Sequence, residues 1–341
     1  MLVRQRAYVE MTVMVLVVLA GGCATLRPTE LAGFTRSPYF EEQVKTYTFE
    51  PEVTVHINAP AASAFDSSKP VQLVIFALPN GNTIAQTIGC QKAADRDWHF
   101  YIQHIGAQTR RLREVLTDRN LVVAYVEAGG KSWPAWRGKH EDSSPRIAAL
   151  VDSIREHFPA DTTTVALTAH SGGGGMLFGF INQVEQIPDW IERIVFLDAN
   201  YSYSEKDRHA EKLEAWLQRS PRHYFGVVAY DDREIEVDGK KVVGPNGGTY
   251  RRTQEMIARF GRDLPLEEKT SGAHGSWRGC NGRLDIELFE NPENKILHTV
   301  LVEKNGFIHA LTFGTPHEGH AGELFGPPAY EQWIQPEPAA L

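Results

Sequence analysis

Short, β-branched apolar runs alternate with stretches of helical period along most of this 341-residue chain, and that alternation is what most restricts its fold. VQLVIFAL (71–78), LVVAYVEA (121–128), TVALTA (164–169), RIVFLDA (193–199) and YFGVVAY (224–230) are short and rich in Val, Ile and Phe. Runs of that length and composition are expected as buried strands. Between the first two, Trp98, Tyr101, Ile102, Ile105, Leu112 and Leu116 follow a 3.6-residue period, which predicts an amphipathic helix over 98–116. Helical patterns recur at 145–158, 176–184, 209–217 and 253–260. Strand and helix in alternation build right-handed βαβ units, so the expected class is α/β, a mostly parallel central sheet flanked by helices. LDIELFE (284–290) and KILHTVLVE (295–303) are expected as paired strands joined through residues 291–294. EIEVDGKKVV, within 231–250, reads as a hairpin insertion turning at Asp238 and Gly239. Composition does not change inside 46–335, so that stretch is expected to be one domain, with 336–341 as a tail.

The N-terminus has a different character. Arg4 and Arg6 precede the apolar stretch MTVMVLVVLA (11–20), followed by Gly21, Gly22 and Cys23. A basic start, a short apolar core and small residues define a secretory signal, too short to remain as a membrane-spanning helix. LAGGC resembles a bacterial lipoprotein lipobox, although Leu19 stands one place further from the cysteine than in the commonest pattern. The resemblance implies removal of 1–22, lipidation of Cys23, a tether over 23–45 and a lipid-anchored place in the bacterial cell envelope, at the outer membrane or the periplasmic face. Cys90 and Cys280 are the only other cysteines, and in an oxidising compartment they could be bridged or stand as separate thiols. Net charge is −8. A nucleic-acid binder usually shows a basic surface, so no nucleic-acid partner is expected.

The strongest chemical signal is AHSGG at 169–173, directly after the strand TVALT and directly before a helical run. A serine there stands on a tight strand-to-helix turn whose flanking residues must be small. The segment resembles the nucleophile elbow of the α/β-hydrolases, with Ala169 where the family usually has glycine, and the resemblance covers most of 46–325. It implies an α/β-hydrolase fold and a serine hydrolase, esterase or lipase-like, that cleaves a small-molecule or lipid-like ester through an acyl-enzyme. Ser171 is the expected nucleophile. His309, which follows a late apolar run and a glycine turn, is the expected base, with His317 and His320 of the HEGH segment as rivals. Asp198 and Asp232, each at a strand end, compete for the orienting acid. The family's oxyanion donors fall on Gly172 and on the loop holding Gly81 and Asn82. Trp133 and Trp136 could wall a substrate site, and His170 stands beside the nucleophile as a further substrate contact. No metal and no cofactor are implied. The same scaffold also carries amidases and peptidases, and a silent relative could serve as an envelope binding protein.

Overall fold

A computed structural model describes residues 28–341, so the signal-like segment and Cys23 lie outside the described residues. The main sheet has eleven strands. Its N-terminal side holds β1 (Thr35–Arg36), β2 (Gln43–Phe49), β3 (Val53–Ala59), β4 (Val71–Ala77) and β5 (Asn120–Glu127). Its centre holds β6 (Thr163–His170), β7 (Ile191–Leu197) and β8 (Tyr224–Tyr230). A separate hairpin pairs β9 (Glu236–Val237) with β10 (Lys240–Lys241). The far edge is β11 (Glu267–Ser271), β12 (His274–Gly279) and β13 (Leu284–Phe289).

The order across the sheet is β1-β2-β3-β5-β4-β6-β7-β8-β13-β12-β11. Strands from β5 through β4, β6, β7 and β8 to β13 run parallel, and antiparallel pairs close both edges. This is the α/β-hydrolase fold, with extra strands at either edge. Parallel strands are buried on both faces, which is why they read as continuous apolar runs. In β4, Leu73, Ile75 and Ala77 join one core while Val74, Phe76 and the following Leu78 join the other. Each such buried side chain contributes about 1.5–3 kcal/mol relative to exposure.

The expected helices form at Ser143–Arg155, Gly174–Gln183, His209–Arg219 and Thr249–Asp263. The hairpin also forms where expected: Asp238 and Gly239 both have positive φ, 52° and 71°, as a two-residue type I′ turn requires. Three expectations need correction, and one open alternative is decided. The helix over 98–116 is interrupted. A 3-10 turn at Trp98–Tyr101 is separated from the helix Ile105–Val115 by His104, which is left-handed (φ 51°) and packed against Gly89. The run 295–303 is not a strand. Asn291 ties residues 291–295 into a loop by bonding the Lys295 amide and carbonyl, and a short helix follows at Val300–Glu303. The expected tether is folded from residue 28 onward. Gln43 bonds Thr29, Phe34 packs on Phe158, and Glu42 is buried between Arg110 and Arg113. Cys90 and Cys280 are separate free thiols, Cys90 with its sulfur beside Arg96.

Candidate active site

The turn after β6 is built from close approaches. Ser171 is held at φ 54°, a region a non-glycine residue enters only where its surroundings impose it. A Cβ on Gly172 would lie 2.1 Å from Asn80 Oδ1, on Gly173 2.2 Å from the Ala77 carbonyl oxygen, and on Gly174 1.7 Å from the Ala199 carbonyl oxygen. The glycine run therefore lets the helix Gly174–Gln183 start against β4 and the end of β7. Ala169 fits the core without exposure. Ser171 faces a cavity of about 380 Å³, also lined by Gly172, Asn80, Asp232 and His298.

Asp198 is fully buried at the end of β7, in a left-handed conformation (φ 46°). Its Oδ2 accepts from Nδ1 of His298 at 2.5 Å, and its Oδ1 accepts from the Thr249 hydroxyl. His298 comes from the loop after β13, and its side chain is about a quarter exposed. His170 supports that loop from below. Its Nε2 donates to the His298 carbonyl at 3.0 Å, and the two rings lie 4.5 Å apart. Burial, then the neighbouring His298, holds the His170 ring well below the ordinary histidine range, so it stays neutral. His170 is buried against protein, not directed at a ligand.

Asp232 also borders the cavity, but it is bound to the start of the helix Thr249–Asp263. Its Oδ2 accepts from the Thr249 amide at 2.9 Å. Burial, and then the charge of Asp198, push Asp232 up to about 6. Of the two candidate acids, the structure joins Asp198 to a histidine.

Several expected residues stand elsewhere. His309 lies on the buried helix Gly306–Thr312 and does not line the cavity. Its Nε2 is 2.9 Å from Asp285 Oδ2, inside a network with Glu287 and Arg278. The chain reaches it only after the 290–299 loop and the helix Val300–Glu303, and His309 then sits inside the next helix, away from the cavity. His317 and His320 also lie away from the cavity, and His320 is exposed. Asp285, Glu287 and His309 bring ligand-type atoms within 4.8 Å of one another, yet Arg278 already reaches both carboxylates, which makes the group a closed ion-pair network.

Gly81 has spent its amide, which donates to the Lys131 carbonyl at 2.9 Å. Asn82 is buried outside the cavity, and Asn80 is the member of that loop that faces it. Trp133 and Trp136 are core residues. Ser132 caps the helix Trp133–Lys139, both rings turn inward, and their indole N–H groups donate to the Val126 and Pro51 carbonyls. Only Pro134 of that helix faces the cavity. Sequence reasoning missed His298 and Thr249. The one available signal for His298 was the polar pair His298–Thr299 breaking the apolar run ILHTVLV.

No protein-family model matches the chain, and no curated protein matches it either. Among solved structures it is similar to a thermostable esterase, at 14% identity and TM-score 0.42, over 77% of this chain and 56% of that one. The chain thus spans little more than half the length of that esterase. It is similar to the glucuronoyl esterase from Solibacter usitatus, at 13% identity and TM-score 0.37, over 77% of this chain and 80% of that one. It is also similar to poly(aspartic acid) hydrolase-1 from Sphingomonas sp. KT-1, at 17% identity and TM-score 0.38, over 64% of this chain and 85% of that one.

Proposed function

We propose that the protein is a serine hydrolase that cleaves carboxylic esters by two-step acyl transfer, with Ser171 as nucleophile, His298 as base and Asp198 as orienting acid. The observation that carries this reading is the 2.5 Å contact from His298 Nδ1 to the buried Asp198, at a cavity shared with a serine on a strained strand-to-helix turn. A carboxylate on Nδ1 fixes the tautomer whose Nε2 is free to accept a proton. His298 Nε2 takes the Ser171 hydroxyl proton as Oγ attacks the ester carbonyl. The Gly172 amide and Asn80 face the oxygen on which negative charge develops, and the start of the helix Gly174–Gln183 favours that charge. His298 then gives its proton to the departing alcohol. Water, deprotonated by the same ring, releases the acid. Esters are preferred to amides by resemblance to the family.

A fluorophosphonate probe with mass-spectrometric mapping tests the assignment. Labelling is expected at Ser171, to be lost in Ser171→Ala and His298→Ala and kept in His309→Ala. Labelling that survives His298→Ala but not His309→Ala in folded protein would overturn the assignment of the base.

We further propose, from the N-terminal sequence, that the chain is exported and anchored in the envelope through lipidated Cys23. No helix among the described residues is long and apolar enough to cross a membrane. Processing should be blocked by globomycin and abolished in Cys23→Ala; normal maturation of that variant would remove the anchor.

A further inference from the structure

Resting on the hydrolase reading above, we infer that the substrate is an uncharged ester with an extended apolar chain, gripped at the cavity mouth by the β9–β10 hairpin on one side and by Tyr201 and Ile296 on the other.

The first observation is where exposed apolar side chains stand. Seven large hydrophobic residues are exposed among the described residues: Phe40, Trp98, Tyr201, Val237, Val242, Ile296 and Leu341. Four of them, Tyr201, Val237, Val242 and Ile296, line the one cavity that contains Ser171. Single exposed hydrophobics are ordinary on a protein surface. Their convergence on a concave site is not, and it marks surface that is covered when the site is filled. Val237, Val242 and Ile296 are each about half exposed, at 46%, 48% and 54%, so each has apolar area left to bury.

The second observation is the hairpin's anchoring. It leaves the sheet directly after Asp232, and its base is fixed by Ile235, which is buried and pairs with the Val242 amide through its carbonyl. Arg233 holds the same base, bonded to Asp231 and stacked over Tyr250. The base is thus fixed, and Val237 and Val242 present apolar side chains to the cavity that Ser171 also lines.

The third observation is charge. The residues lining the cavity include no Lys or Arg, and the ionisable acid and base among them are Asp232 and His298. A substrate carboxylate or phosphate would meet no cation there and would lie beside a carboxyl group. Acidic esters are therefore disfavoured, and neutral chains are preferred.

The test is kcat/KM for two series on the purified protein, p-nitrophenyl alkanoates and straight-chain alkyl acetates, from two to twelve carbons. A methylene that becomes fully buried adds up to about fourfold. The expected result is a rise of at least about tenfold between two and eight carbons in one series or both. In Val242→Ser and Ile296→Ser the eight-to-two ratio should fall severalfold, while Trp98→Ser, exposed but not lining the cavity, should keep the wild-type ratio. A flat profile in both series, with Ser171 still labelled by the fluorophosphonate, overturns the chain-length inference and leaves the hydrolase reading standing. So does a higher rate on succinyl monoesters than on the neutral esters of equal length. Absence of labelling at Ser171 sinks the hydrolase reading itself, and the inference with it.

Discussion

Thr249 ties together the two carboxyl groups behind the cavity. Its hydroxyl donates to Asp198 and its amide to Asp232. It is fully buried, so the hydroxyl has no water to replace it when removed. In Thr249→Val the shape is kept, but Asp198 loses a donor and gains freedom to turn away from His298. A buried charged acceptor left without its donor costs roughly 1.5–3 kcal/mol, which is about ten- to a hundredfold in rate if it falls on the chemical step. The expected result is a fall of that size in kcat with KM nearly unchanged, and recovery in Thr249→Ser. A loss of stability with kcat intact would make Thr249 only a structural residue. The same pair shows what was legible at this scale. Ser171 could be proposed as nucleophile from the sequence because the chemistry and the steric demands of the turn share five consecutive residues. The Asp198–His298 contact could not, because a hundred residues separate the partners and nothing local to either names the other. A buried His with a buried carboxylate also exists at His309 and Asp285, so residue type alone does not choose between them.

Among the elements, the proposed mechanism predicts that the turn after β6 separates folding from activity glycine by glycine. A Cβ on Gly174 would run into the Ala199 backbone, which sits at the end of β7 and has little freedom to move. Gly174→Ala is expected to cost about 3 kcal/mol, measured by urea unfolding, because strand and helix must part to admit it. The atoms nearest a Cβ on Gly172 belong to the Asn80 side chain, which can rotate. Gly172→Ala should thus fold with a smaller loss of stability and, on the proposed mechanism, lose activity, since Asn80 would be displaced from the proposed oxyanion position. Similar activity losses in both variants, with equal stability, would contradict this separation. Elements were legible where burial on both sheet faces produced unbroken apolar runs, as in β4, β6, β7 and β8. They were not legible where other forces decide. β11 is exposed along its whole length, so its charged sequence EEKTS carries no apolar period. Residues 295–299 have a strand-like composition, yet the side chain of Asn291 fixes them as a loop.

For the whole molecule, the question is what the second histidine–carboxylate pair does. His309 stands on the helix Gly306–Thr312 and Asp285 on β13, with Arg278 of β12 and Glu318 completing the network. This network fastens the C-terminal segment to the edge of the sheet, and the loop bearing His298 lies between its two anchor points in sequence. Burial works against the charge on His309, but Asp285, and then Glu287, outweigh it and raise its pKa above the ordinary histidine value. A histidine whose pKa is raised by folding adds stability that is fully present below the unfolded value of about 6.5 and is lost as pH rises through the higher folded value. Wild-type protein should therefore lose part of its stability on going from pH 6 to pH 9. In His309→Gln that slope should flatten, and stability at pH 6 should fall by about 1.5–3 kcal/mol, because Asp285 loses one of its two cationic partners and keeps only Arg278. Folded His309→Gln should still be labelled by a fluorophosphonate, whereas folded His298→Gln should lose labelling. Crossing the two readouts assigns one histidine to holding the molecule together and the other to its chemistry; the opposite crossing would exchange their roles.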